Sequence, residues 1–244
     1  SLKKIKFIYQ TILKANVIEV KTIKIAEGAK IIENTQRDLN IALINELMML
    51  FNKLDIDFKS VLKAANTKWN FLNFKPGLVG GHCIGVDPFY LAKAAKLAGH
   101  NPEVILAGRK INDSMPHFLF KNIIKQIKIK SRILILGLTF KENVNDIRNS
   151  KSAILAKLFL SKGYKLDVCD PLADKKEALK EYGIRLVSPK SKYDCVIVTV
   201  AHNDFLKMSK LNFISLFSKP SLLIDIKNIW LRKNLPSYVL RWSL

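Results

Sequence analysis

Cys83 stands in a segment that combines flexible glycines with a thiol, an imidazole and a carboxylate: Pro76-Gly77-Leu78-Val79-Gly80-Gly81-His82-Cys83-Ile84-Gly85-Val86-Asp87-Pro88. Asp87 is a good N-cap and Pro88 a good first helical residue, which places Cys83 just ahead of a helix N-terminus. Unpaired N–H groups there favour negative charge and populate the thiolate. That arrangement builds a nucleophile. The competing reading is a glycine-rich turn around a buried cysteine. His82 is adjacent, but neighbouring residues in an extended segment point to opposite sides, so it is a weak partner for Cys83.

Two further polar groups could serve the same chemistry. Lys30 and Asn34 are one helical turn apart with Arg37 following, so the three share a face. An ammonium there could stabilise an oxyanion, and the amide could orient a substrate oxygen or a water; a solvated polar face is the alternative. The run Phe140-Lys141-Glu142-Asn143-Val144-Asn145-Asp146-Ile147-Arg148-Asn149-Ser150 follows an apolar, β-branched stretch ending in glycine. Loops at the carboxyl ends of parallel strands bind ligands, and Lys141 and Arg148 are suited to grip a diphosphate, with Lys227 opening onto the same edge. Cys195 lies inside a strand pattern and Cys169 ends one; both read as structural.

The elements that must position these residues fall into two groups. A helix over the first dozen residues (Ile5, Ile8, Tyr9, Ile12) is followed by a predicted strand at 17–20. A long helix over 25–53 carries the apolar stripe Ile25, Ala29, Ile32, Leu39, Leu43, Leu47, Leu50. Its second half is apolar on the other side as well (Ile41, Ile44, Met48), which points to a partner subunit or to a helix wrapped by its own domain. Helices are predicted at 57–66, 88–98 and 102–127, the last with a break near Pro116. Strands at 132–138, 165–169, 194–200 and 222–226 then alternate with helices at 150–162 and 174–182. The fold class predicted is therefore α/β: a helical domain followed by a Rossmann-like, doubly wound parallel sheet. Its boundary falls near residue 129, and no G-x-G-x-x-G occurs anywhere.

Composition narrows the function classes. The 244 residues allow two domains, and 49% hydrophobic content suits a globular protein. No run approaches the roughly 18–20 apolar residues of a membrane span. Nothing near the N-terminus reads as a signal peptide, and three cysteines without C-x-x-C spacing indicate a reduced, cytoplasmic protein with no metal site. The net charge of +21 raises the question of nucleic acid. Only seven of the 41 basic residues are arginine and the lysines are dispersed, which fits a solvated surface better.

Four motifs in order, A-E-G-A-K-I-I-E-N-T (26–35), P-G-L-V-G-G-H-C-I-G-V-D-P-F-Y-L (76–91), R-K-I-N-D-S-M-P (109–116) and G-L-T-F-K-E-N-V-N-D-I-R-N-S (137–150), give the chain its resemblance to the UDP-glucose/GDP-mannose dehydrogenase family. The segment from His82 to Pro88 is similar to the branch acting on UDP-2-acetamido sugars (UDP-N-acetylmannosamine or UDP-N-acetylglucosamine). The UDP-glucose branch usually has lysine where Val86 stands.

The resemblance implies NAD-dependent oxidation of a sugar C6 alcohol to the carboxylate, by way of a cysteine thiohemiacetal and thioester, for polysaccharide biosynthesis. By motif match Cys83 is the nucleophile, Lys30 the oxyanion stabiliser, Asn34 its partner in holding substrate and water, and Asp87 an aid to water activation, its N-cap role being a competing explanation. Gly77, Gly80 and Gly81 would approach sugar and nucleotide through backbone amides. Phe140 and Lys141 would hold the UDP, Lys227 would contact substrate, and Arg148 with Cys83 would contact NAD. The same resemblance implies a homodimer through the central helices. It divides the chain into the tail of a dinucleotide-binding domain (1–25), a central domain (26–128) and a UDP-binding domain (129–244). Family members begin with a complete dinucleotide-binding domain. This chain alone is therefore expected not to bind NAD normally or turn over, and a dimeric, non-catalytic UDP-sugar-binding module is the alternative.

Overall fold

The computed structural model describes residues 2–189, 192–230 and 234–244. Five helices come first: α1 (Leu2–Ile12), α2 (Ile23–Lys53), α3 (Phe58–Ala65), α4 (Asp87–Leu97) and α5 (Glu103–Ile124). The second part runs β1 (Arg132–Leu136), α6 (Lys151–Ser161), β2 (Lys165–Cys169), α7 (Lys175–Tyr182), β3 (Tyr193–Val198), α8 (Asn203–Lys207), α9 (Lys210–Ile214), β4 (Phe217–Asp225) and β5 (Val239–Trp242). The sheet is parallel throughout with strand order β2-β1-β3-β4-β5. Strand order reverses between β1 and β3, and crevices at such a switch point are where open α/β sheets take ligands.

Alternation along β1 explains the layering. Ile133 and Ile135 join a core with Met115, Leu119 and Ile123 of α5 and Leu155 and Phe159 of α6. Leu134 and Leu136 face the opposite way, onto Phe205 of α8 and Phe213 of α9. A strand buried on both faces reads as an unbroken apolar run, as β1 does. Ile44 and Met48 of α2 belong to the first of these cores, so the helices and one sheet face share a single apolar interior.

Three sequence expectations are corrected. Residues 17–20 form no strand: none of the described residues pairs with them, and Glu19 instead meets Lys6 of α1 at 3.0 Å. Pro116 does not break α5, because its neighbours Met115, Leu119 and Phe120 are buried and tertiary packing holds the helix through the missing N–H. On α2 most of the predicted stripe faces outward in this chain, while Ile44 and Met48 of the opposite face are buried, as the sequence predicts for the second half. Ile25, Ile32, Leu43 and Leu50 of the predicted stripe are exposed, whereas Asn34, Thr35, Asp38, Ala42 and Asn45 are buried. Periodicity identified two faces but not which one the rest of this chain covers.

Candidate active site

The glycine segment ends in turns over residues 81–86, and the carbonyl of Cys83 accepts the N–H groups of Val86 (3.0 Å) and Asp87 (2.8 Å). These bonds start α4 one residue earlier than predicted. Val86 occupies the N-cap position without a side-chain bond, and Asp87 lies within the first turn. The Asp87 carboxylate is thereby free of a capping duty and accepts from Asn34 Nδ2 at 2.6 Å. Asn34 is buried and Cys83 is a half-buried free thiol. Lys30, one turn before Asn34, is exposed and engages Glu33 at 2.7 Å, while Glu33 also takes Arg37 at 2.6 Å. Bonds from these two cations lower the Glu33 carboxyl below its ordinary value. The structure thus bonds the Asn34 and Asp87 side chains directly, ties Asp87 to Cys83 through backbone alone, and holds Lys30 on the same helix as Asn34, paired with its own neighbour.

The loop after β1 packs directly on the glycines. Gly81 has φ +90°, and a Cβ there would sit 2.7 Å from the Phe140 ring; a Cβ on Gly80 would sit 2.6 Å from the Asn149 carbonyl oxygen. Close approach to Phe140 and Asn149 by itself requires glycine at both positions. Gly81→Ala is expected to cost about 1–3 kcal/mol from strain and overpacking. Phe140→Ala should recover part of that loss but none of the loss from Gly80→Ala, because the Gly80 clash is with backbone. Urea unfolding of the three single and two double variants checks this. Asn149 Nδ2 donates to the Gly81 carbonyl at 3.3 Å. Arg148 clasps Asp146 through two nitrogens and lies 3.3 Å from His82 Nδ1. The bond to the Asp146 carboxylate raises the Arg148 guanidinium above its ordinary value.

Beneath the segment lies a buried polar network that sequence reasoning missed. Asn45 reads both backbone groups of Gly77, accepting its N–H at 2.8 Å and donating to its carbonyl at 3.1 Å. Asn45 also donates to Asn112 Oδ1 (2.9 Å), and Asn112 donates to Asp38 Oδ1 (2.8 Å). Arg109 reaches the same Asp38 oxygen at 2.6 Å and also bonds Asp113, which takes Lys151 Nζ of α6 at 2.6 Å. Burial pushes the Asp38 carboxyl up, outweighing the opposing pull of Arg109 and Asn112. The available signal was the helical spacing of Asp38 with Asn45 on α2, and of Arg109 with Asn112 on α5.

At the switch point, Asp170 and His202 hold the loop from Leu138 to Asn143. Asp170 Oδ2 accepts from the N–H groups of Leu138 (2.6 Å) and Thr139 (3.0 Å) and meets His202 Nε2 at 3.1 Å. His202 Nδ1 accepts the Asn143 N–H at 3.1 Å, which fixes the proton on Nε2. Burial raises the Asp170 carboxyl, but His202 and the two backbone amides prevail and hold it far below the usual range. A depressed carboxyl stabilises the fold above its unfolded value of about 4, and that contribution fades as acidity increases. Asp170→Asn should therefore lower stability by about 2–4 kcal/mol at pH 7, with the deficit shrinking in acid-dependent urea titrations as pH falls below about 4. An equal deficit at pH 7 and at pH 3 would contradict this.

A cleft of about 870 Å³ opens between the helical part and the switch point, and Lys59, Lys63, Lys75, Gly77, Glu142 and Lys227 are on its walls. Gly77 and Lys227 were predicted site residues; the three other lysines were not, although Lys59 and Lys63 share a face of α3. Burial lowers the Lys59 ammonium, against the pull of Asp225 and Asp57. Lys227 meets Glu142 at 2.7 Å. Phe140 borders a small recess beside Gly80, whereas Lys141 is exposed and contributes its carbonyl to Thr139 Oγ1. At the β1–α6 junction Ser150 Oγ caps Ala153 N (3.1 Å) and donates to the Leu138 carbonyl, and the Ser150 N–H goes to Tyr182 Oη (3.2 Å). That helix terminus is filled by its own side chains. Among the described residues no group of His, Cys, Asp or Glu is placed to hold a metal, and no helix is long and apolar enough to cross a membrane.

Comparison with known proteins places this geometry. The chain is 48% identical over 230 residues to Protein CapL of Staphylococcus aureus, and 47% identical over 230 residues to the UDP-N-acetyl-D-glucosamine 6-dehydrogenase of Salmonella typhi. Each match covers 91% of this chain and 54% of that protein, so the chain spans about half the length of these relatives. The native structure of the UDP-N-acetyl-mannosamine dehydrogenase Cap5O from Staphylococcus aureus superposes with TM-score 0.75 at 30% identity, over 99% of this chain and 55% of that one. Residues 24–114 match the central domain of the UDP-glucose/GDP-mannose dehydrogenase family, and residues 134–232 its UDP binding domain. With these two domains in order, the chain belongs to the UDP-glucose/GDP-mannose dehydrogenase family.

Proposed function

We propose that the chain supplies the nucleotide-binding and thiol chemistry of a UDP-sugar 6-dehydrogenase acting on a UDP-2-acetamido sugar. The observation that carries this reading is a lysine-walled cleft of nucleotide size bordered by Gly77, with a half-buried thiol, Cys83, six residues further along the same glycine segment. Lys59, Lys63, Lys75 and Lys227 attract the diphosphate, and Gly77 borders the same space. Phe140 braces the glycine turn, with Gly80, Gly81 and the neighbouring Lys141 completing the nucleotide side.

The Cys83 sulfur adds to the C6 aldehyde, forming a C–S bond as the carbonyl π electrons move to oxygen, and Lys30 turns from Glu33 to stabilise that oxyanion. Water later attacks the thioester carbonyl, the C–S bond breaks, and the thiol is restored with the carboxylate released. Asn34, oriented by Asp87, holds that water. The family resemblance assigns both oxidations to NAD. The β1–α6 junction itself does not fit a dinucleotide cradle, because its helix terminus is closed by Ser150 and Tyr182. That closed junction favours UDP-sugar binding without redox turnover when the chain acts alone. The exposed stripe Ile25, Ile32, Leu43 and Leu50 on α2 supports pairing of two copies through the helical part.

Calorimetric titration tests the nucleotide reading. UDP should bind at least about 100-fold more tightly than uridine, with affinity falling as salt rises. Equal affinities for UDP and uridine would refute it.

A further inference from the structure

Glu142 is the only acidic side chain among the described residues lining a cleft whose walls carry Lys59, Lys63, Lys75 and Lys227. In a site that attracts anions, a carboxylate needs a reason. Its Oε1 lies 2.7 Å from Lys227 Nζ, and both side chains are about one-third exposed (33% and 30%). The same pair borders the small recess beside Gly80 and Thr199, so it stands where the large cleft meets the β1–β3 switch point.

The backbones on either side of the pair are fixed. The Lys141 carbonyl is held by Thr139 Oγ1, and the Asn143 N–H by His202 Nδ1. Asn143 Oδ1 further accepts the Asn203 N–H at 2.9 Å. Lys227 directly follows Ile226, the buried residue just past the end of β4. Each of the two side chains can leave the other by rotation about its own χ angles, without a change in these backbone bonds.

From this we infer that Glu142 is a resident counter-ion that occupies Lys227 while the cleft is empty and yields it to the incoming diphosphate. A diphosphate and a carboxylate cannot share one ammonium without like-charge repulsion. An anion that brings little besides its charge gains little by breaking the pair. A nucleotide that adds base and sugar contacts offsets the loss, so Glu142 sharpens selection for the nucleoside diphosphate over free anions. The inference rests on the diphosphate reading above and adds Glu142 as a residue that sets affinity and selectivity.

Its test uses the 244-residue chain in four forms: unchanged, Glu142→Gln, Lys227→Met, and both together, each checked by thermal melting. UDP and inorganic pyrophosphate are titrated into all four. Glu142→Gln should bind both ligands about 3–10-fold more tightly, with the larger relative gain for pyrophosphate. In the Lys227→Met background that gain should vanish, since no ammonium remains to be released. A Glu142→Gln chain that binds within twofold of the original overturns the inference, and so does a gain that persists without Lys227. Weaker binding by Glu142→Gln overturns it too, and would mean that the carboxylate accepts a ligand hydroxyl. If the chain binds pyrophosphate and not UDP, the nucleotide reading fails while the pyrophosphate arm still decides the role of Glu142. If none of the four binds either ligand, both readings fall.

Discussion

Cys83→Ser is expected to lower uronate formation by about four orders of magnitude or more, the scale seen when a covalent nucleophile is removed. The assay joins the chain to a dinucleotide-binding domain, supplies NAD and the UDP-sugar, and detects the acid by mass spectrometry. Serine preserves the shape of the turn, where the carbonyl of residue 83 takes two N–H groups at 3.0 and 2.8 Å. UDP affinity should therefore stay within about twofold, which separates lost chemistry from lost structure. A hydroxyl at this position is almost fully protonated near neutral pH and cannot replace the thiolate as nucleophile. Turnover within tenfold of the parent would remove Cys83 from the mechanism.

The largest effect on stability belongs to Arg109. Its guanidinium and the Asp38 carboxylate, 2.6 Å apart, are both buried, and Asn112 and Asn45 extend the contact to Gly77. Arg109→Met should cost about 3–5 kcal/mol in urea unfolding, because it leaves Asp38 charged and unpaired. Replacing both partners, Arg109→Met with Asp38→Leu, should cost much less. The pH dependence has a definite sign. Burial holds the Asp38 carboxyl above its ordinary value, so its ionisation opposes folding, and the Arg109→Met deficit should diminish as pH falls through that raised value. A single substitution no costlier than the double one would show that the pair is solvated. UDP affinity should fall with Arg109→Met as well, since Gly77 borders the cleft.

Local signals made much of this protein legible. The central strands β1 and β3 were readable because a parallel strand buried on both faces is an unbroken apolar run. The helices predicted at 57–66 and 150–162 were found, their starts fixed in the structure by caps at Asp57 and Ser150. β5, α8 and α9 are four or five residues long and give no periodic signal, so they were missed. The direction in which a helix faces is a tertiary fact. Most of the predicted apolar stripe of α2 looks outward from this chain, while the face carrying Asn34 and Asp38 together with Ala42, Ile44 and Met48 is buried, its polar groups bonding α4 and α5. Asp87 carried a cap signature, yet its partner proved to be Asn34, 53 residues away in sequence. The Asp38–Arg109 bond joins residues 71 apart, and no spacing rule anticipates it. The glycines were legible as a turn, but the reason for Gly80 and Gly81, the approach of Asn149 and Phe140, needed coordinates.

That a thiol and a nucleotide cleft form one site is tested most directly by alkylating the 244-residue chain with iodoacetamide and mapping the modified peptides. Burial pushes the Cys169 thiol up to about 11, and Cys195 is completely buried, so Cys83 should be the residue that reacts. UDP-N-acetylglucosamine should protect Cys83 more strongly than UDP at equal saturation, because only its sugar reaches the sulfur. Equal Cys83 labelling with and without saturating nucleotide sugar would contradict the account.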